Sequence, residues 1–198
     1  MGTRDVILDA AAEVMAKQGL ANVTTRQIAR AAGFTEAALY KHFANKADLL
    51  VAVMRERSPG FGWLEEVLRG RVETGDVVIN LTAIAEAAIT FYRSGFPMFA
   101  SMFADPETLA AHKAELVRVA AGPHKVNDAV AAYLRAEQQQ GRLRPEADVQ
   151  AAAGLLLGAC FQHAFLGHMA APDHRDTREA AAGFARTLIE GLAPHLAD

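Results

Sequence analysis

The chain has 198 residues, 52% hydrophobic and 22% charged, with a formal net charge of −3. That composition excludes a largely disordered chain, and the length buries enough surface that no disulfide or metal staple is required. Cys160 is the only cysteine, which excludes an intrachain disulfide, and no apolar run precedes Asp5, so the expectation is a cytoplasmic protein without a secretory signal.

The charge is unevenly spread. Residues 1–58 carry eight Lys/Arg against six Asp/Glu, whereas the remainder carries twelve against seventeen. Between positions 17 and 46, Lys17, Arg26, Arg30, Lys41 and Lys46 face a single acid, Glu36. A basic stretch inside an acidic protein points to a local polyanion contact.

Ala and Leu dominate, strand-like alternation is missing, and Gly and Pro fall where helices end, so the fold class is all-α with about nine to ten helices. A first helix is predicted from Arg4 to Gln18, stopped by Gly19. A short one runs from Thr25 to Ala32, another from Glu36 to Phe43, and a fourth starts after Asn45 and resumes through Trp63 to Val72. Beyond it the pattern predicts a helix from Gly75 to Ser94 closed by Gly95 and Pro97, then helices over 106–121, 124–140, 146–170 and 174–192. The stretch from Val149 to Pro172 lacks any Asp, Glu, Lys or Arg, but it holds Gln150, Gln162, His163 and His168, so it reads as a buried helix and not a membrane span.

The chemistry sits in residues 4–50. Thr24 and Gln27 have the spacing of a capping box, Gly33 permits a left-handed turn, and Thr35 caps the next helix. Two helices joined so tightly cross steeply and form a helix-turn-helix, whose second helix enters a DNA major groove. On that helix Leu39 and Phe43 point to the core. Ala37 and Ala38 allow close approach to base edges, Lys41 reaches a guanine or a phosphate, and Tyr40 and His42 can donate to phosphates. Lys46 follows Asn45, the expected N-cap of helix 4; a cation there is unfavourable by about 0.3–1 kcal/mol unless a phosphate bridges it to the helix end.

The ordered set Thr24-Thr25-Arg26-Gln27-Ile28-Ala29, Ala32-Gly33-Phe34, Leu39-Tyr40-Lys41-His42-Phe43, Asn45-Lys46 and Leu49-Leu50 resembles the DNA-binding domain of the tetracycline-repressor (TetR) family. The resemblance implies a homodimeric, ligand-responsive repressor that binds a palindromic or pseudo-palindromic operator. It places Thr25, Tyr40, His42 and Lys46 on phosphates, and Arg26 with helix 3 residues on bases. The candidate DNA surface is thus Thr24, Thr25, Arg26, Thr35, Glu36, Ala37, Ala38, Tyr40, Lys41, His42 and Lys46. Glu36-Ala37-Ala38 is poor in donors, which shifts base reading toward Arg26 and Lys41. The expected division is a DNA-binding domain over 1–48 and an effector-binding and dimerisation domain over 49–198.

For the second domain the candidate ligand residues are Phe61, Trp63, Phe91, Tyr92, Phe96, Phe99, Met102, Phe103 and Phe161, an apolar and adaptable set that suits an aromatic or lipophilic effector. Met98 joins them by position. Gly154 and Gly158, four apart, allow close helix approach, so Gly154, Leu155, Gly158, Phe165, Phe184 and Leu188 form the expected dimer interface. The histidine spacing supplies no metal site, and no phosphate loop or catalytic triad is legible, so neither a cofactor nor an enzyme activity is expected. The rival readings are an effector-independent or activating regulator of the same fold, and a small helical enzyme or carrier that retains a helix-turn-helix.

Overall fold

The computed structural model describes residues 2–18, 23–57, 75–104, 106–118, 120, 122–169 and 175–192. Their regular structure is entirely helical: α1 (Thr3–Gln18), α2 (Thr25–Ala31), α3 (Glu36–Tyr40), α4 (Lys46–Arg57), α5 (Val77–Phe103), α6 (Pro106–Arg118), α7 (Pro123–Gln139), α8 (Val149–Met169) and α9 (Thr177–Leu192). The all-α expectation holds. Phe61 and Trp63, the resumption of helix 4 to Val72, and the stops at Gly19, Pro172 and Pro194 lie outside the described residues.

The helices pack as two compact units that do not follow chain order. One draws on residues 1–62 and 94–121, the other on 63–93 and 122–198. In the first, Ile7, Leu8, Ala11 and Met15 of α1 meet Ile28 and Ala29 of α2, Leu39 of α3, Phe43, and Leu49, Leu50 and Val53 of α4. Met102, near the end of α5, is buried in the same core, and Phe99 and Leu109 pack against it. Leu39 and Phe43 are 0% and 2% exposed, as their four-residue spacing on one helical face predicts. Charges then clasp α4 to α1. Arg4 donates to both Glu56 carboxylate oxygens at 2.7 and 2.8 Å, and Arg57 donates to Asp9 at 2.6 Å and to Asp5 at 3.1 Å.

In the second unit, Leu81, Ile84, Ala85, Ala88 and Ile89 of α5 pack with Val130, Ala131, Tyr133 and Leu134 of α7. Ala152, Ala153, Leu156, Leu157 and Cys160 of α8 and Ala180, Ala181 and Ala185 of α9 complete the core. The many alanines let helix backbones approach closely. Helix α8 is long and apolar enough to cross a membrane, yet 44% of its apolar window is buried inside the protein, and it serves as the core helix of this unit.

Two boundaries differ from expectation. Helix α3 stops at Tyr40, and the His42 N–H then closes a tighter three-residue turn onto the Leu39 carbonyl. More consequentially, Gly95 and Pro97 do not close α5, which runs on to Phe103. A proline inside a helix frees the carbonyl four residues back, here that of Arg93. That oxygen accepts a hydrogen bond from His168 Nε2 at 2.9 Å, so its demand is met from α8. Gly95 has its own reason: a Cβ there would stand 2.8 Å from the Phe99 ring.

Candidate nucleic-acid interface

The local chemistry of α2 and α3 follows the sequence closely. The Gln27 N–H donates to Thr24 Oγ1 at 3.2 Å and Gln27 Oε1 accepts the Thr24 N–H at 2.8 Å, so the capping box is closed in both directions. Gly33 takes φ +75° at the turn, and Thr35 Oγ1 accepts the Ala38 N–H at 3.2 Å. Thr24 and Thr35 therefore carry cap bonds at the two helix starts.

Thr25 is placed differently from a simple surface hydroxyl. It is 8% exposed, donates to Glu36 Oε1 at 2.6 Å, and lies 3.2 Å from the Tyr40 hydroxyl. Since a hydroxyl has one proton, its donation to Glu36 leaves Tyr40 as the donor to Thr25. This chain of hydrogen bonds ties the start of α2 to both ends of α3. Tyr40 is 47% exposed, with its ring outside the core. Arg26, Ala37, Lys41 and His42 are exposed; Glu36 and Ala38 are half-buried. The structure thus brings the start of α2, the length of α3 and the following turn together within one small three-helix head.

Lys46 is the first residue of α4 and half-buried. Asn45 Oδ1 accepts the Asp48 N–H at 2.8 Å, and Asp48 Oδ2 reaches back to the Ala44 N–H at 2.9 Å. Asp48 is a residue that sequence reasoning missed. Its charge in the first turn offsets the unfavourable placement of Lys46, and its side chain fixes the corner that presents that lysine. The Asn-x-x-Asp spacing was the available signal. Arg118 Nη2 lies 3.5 Å from Asp48 Oδ1, a contact that no local pattern announces.

The candidate ligand residues are divided between the units. Phe91 and Tyr92 meet edge to face at 5.5 Å, and Tyr92 meets Phe161 likewise at 5.4 Å. Burial pushes the Tyr92 phenol up to about 12 and the neighbouring Cys160 thiol also to about 12. Phe96, Phe99, Met102 and Phe103 fall in the first unit; Met102 is core there at 5% exposed, whereas Phe103 is 68% exposed. Of the expected dimer residues, Leu155 is 69% and Phe165 37% exposed. Gly154 and Gly158 are exposed beside them on α8, and Phe184 and Leu188 are partly buried against the second core.

A capped helix pair with exposed basic and small residues, in a chain whose described regular structure is all helical, defines a helix-turn-helix transcription regulator. Residues 7–53 match the model of the bacterial regulatory proteins of the tetR family, and residues 80–190 match the AefR-like transcriptional repressor C-terminal domain. The chain belongs to the TetR family of bacterial transcriptional regulators, and members of that family are regulators, not enzymes.

Among curated relatives it is 49% identical over 55 residues to the HTH-type transcriptional regulator SrpR of Pseudomonas putida, covering 28% of this chain and 26% of that one. It is 38% identical over 63 residues to AcrR of Shigella flexneri, covering 32% and 29%. The matched part thus spans only about a quarter of these relatives' length. Among solved structures, the fold resembles SmeT, repressor of the Stenotrophomonas maltophilia multidrug efflux pump SmeDEF, at TM-score 0.69 and 23% identity, covering 98% and 92% of the two chains. FadR of Bacillus subtilis, solved with stearoyl-CoA, has TM-score 0.70 at 18% identity, covering 95% and 98%.

Proposed function

We propose that this chain is a cytoplasmic, homodimeric repressor that binds a palindromic operator and is released by an apolar, aromatic or lipophilic effector. The observation that carries the DNA reading is the head itself. Thr24 and Thr35 cap α2 and α3, while Arg26, Ala37, Tyr40, Lys41 and His42 are exposed and Lys46 opens α4 at a fixed corner. In the proposed complex Arg26 and Lys41 read base edges, Ala37 and Ala38 allow close approach, and Tyr40, His42 and Lys46 serve the backbone, with Thr25 holding the Tyr40 hydroxyl in place. Glu36 keeps Thr25 oriented. Residues 1–48 supply the DNA function and 49–198 the effector and dimer functions.

The effector proposal rests on the Phe91–Tyr92–Phe161 edge contacts within the second unit. The stearoyl-CoA held by the similar FadR of Bacillus subtilis supports a lipophilic class. An effector must bind the two DNA-affinity states unequally to release the operator. The dimer proposal rests on the exposed apolar side of α8, with α9 beside it, since a large apolar patch on a soluble protein marks an interface.

Selecting genomic fragments on the purified protein tests the whole reading. The bound promoter should be palindromic, and Arg26→Ala should relax preference at one base pair. Failure to retain any duplex at low salt by protein free of small molecule would refute it. Light scattering that showed a monomer would remove the dimer, and thermal stabilisation only by charged, polar metabolites would remove the effector class. Retained operator binding across all apolar compounds tried would favour an effector-independent regulator.

A further inference from the structure

The corner that introduces α4 is held from another helix. Asp48 uses Oδ2 to accept the Ala44 N–H at 2.9 Å, and its Oδ1 faces Arg118 Nη2 at 3.5 Å. Arg118 is in turn aligned by Glu115 one turn earlier on α6, which accepts its Nε–H at 2.8 Å. Glu115 is only 4% exposed, and a carboxylate so buried demands a cation in a defined place. The guanidinium is planar and forked, so pairing with Glu115 fixes its direction even though Arg118 is 58% exposed.

Two effects on the corner follow. Asp48 stands two residues from Lys46, so its charge would repel a phosphate approaching that lysine; the guanidinium, shared with Glu115, offsets part of that charge. Arg118 also attracts one carboxylate oxygen while the other holds the Ala44 N–H, which stabilises the Asp48 rotamer that builds the turn.

We infer that Arg118, seated by Glu115, is a positioning residue for DNA binding, acting through Asp48 on the Ala44–Lys46 corner without touching DNA. This rests on the reading that Lys46 meets a phosphate, and the test separates the two. The probe is a short duplex that the wild-type protein selects from a randomised pool, titrated at several salt concentrations. Arg118→Ala should weaken binding about threefold to fivefold, the range expected for a partly exposed ion pair. It should leave the slope of log affinity against log salt unchanged, because no phosphate contact is lost.

In an Asp48→Asn background the same substitution should weaken binding clearly less, because the part of the loss that runs through Asp48 is already gone. Arg118→Lys should recover only part of the loss, since an ammonium cannot hold Glu115 and reach Asp48 in the same forked geometry. Equal losses in the two backgrounds would overturn the inference, as would a slope that falls with Arg118→Ala, which would make Arg118 a phosphate contact itself. Lys46→Ala is the control and should lower the slope by about one per phosphate. An unchanged slope in that variant would instead sink the phosphate reading on which the inference stands.

Discussion

Removing one oxygen from Tyr40 separates a DNA role from a packing role. In the free protein its hydroxyl donates to Thr25 Oγ1 across 3.2 Å, while the Thr25 proton goes to Glu36 at 2.6 Å. On DNA the same proton must leave Thr25 for a phosphate. A hydrogen bond to a charged group contributes about 1.5–3 kcal/mol and a neutral one about 0.5–1.5, so the exchange gains roughly 1 kcal/mol. Tyr40→Phe should therefore weaken operator binding about fivefold per contact. The ring is 47% exposed and stays in place, so folding stability should fall by less than about 1 kcal/mol. Fluorescence anisotropy on a selected duplex gives the first quantity and urea unfolding the second. A large loss of stability with unchanged DNA affinity would show that Tyr40 is a packing residue and refute the argument.

Four further outcomes follow from the same geometry. Leu39→Ala, at a site 0% exposed, should cost about 2–5 kcal/mol in urea unfolding, since it removes core volume beneath α3. Thr24→Ala opens the capping box and should cost about 1 kcal/mol, with a parallel loss of DNA affinity because α2 starts there. His168→Ala leaves the Arg93 carbonyl without its donor, and calorimetry should show a loss of about 1 kcal/mol. The Cys160 thiol is raised from 9.0 to about 12, so it stays protonated in the folded protein where the unfolded chain ionises. Stability from this group is complete below about 9 and is lost as pH rises toward about 12, and the Tyr92 phenol adds a loss of the same sign. Cys160 should accordingly resist alkylation in the native protein and react once urea unfolds it.

What the sequence made legible was chemistry confined to a few neighbouring residues. The Thr24–Gln27 box, the Thr35 cap, the left-handed Gly33 and the inward pair Leu39 and Phe43 each depend on spacing of four residues or fewer, and each stands as expected. The failures share the opposite property. Gly95 and Pro97 carry every local mark of a helix end, but the carbonyl that Pro97 frees is satisfied by His168, 75 residues from Arg93 along the chain. For Asp48 the Asn-x-x-Asp spacing announces the cap, but not the second oxygen's contact with Arg118 on α6. Thr25 looks like a surface hydroxyl until Glu36 is folded back over it. Placing Met102 among ligand residues was reasonable from aromatic neighbours alone, yet its side chain fills the core beneath α1 and α4.

That last placement matters to anyone wishing to transplant the DNA-reading head onto another sensor. Phe99, Met102 and Leu109 cover apolar side chains of the head, although they come from a stretch that begins almost forty residues after α4 ends. A graft cut after Arg57 would bare that surface to water and invite aggregation. Chimeras should carry the 94–118 segment with the head, or replace its three covering side chains by equivalents from the recipient.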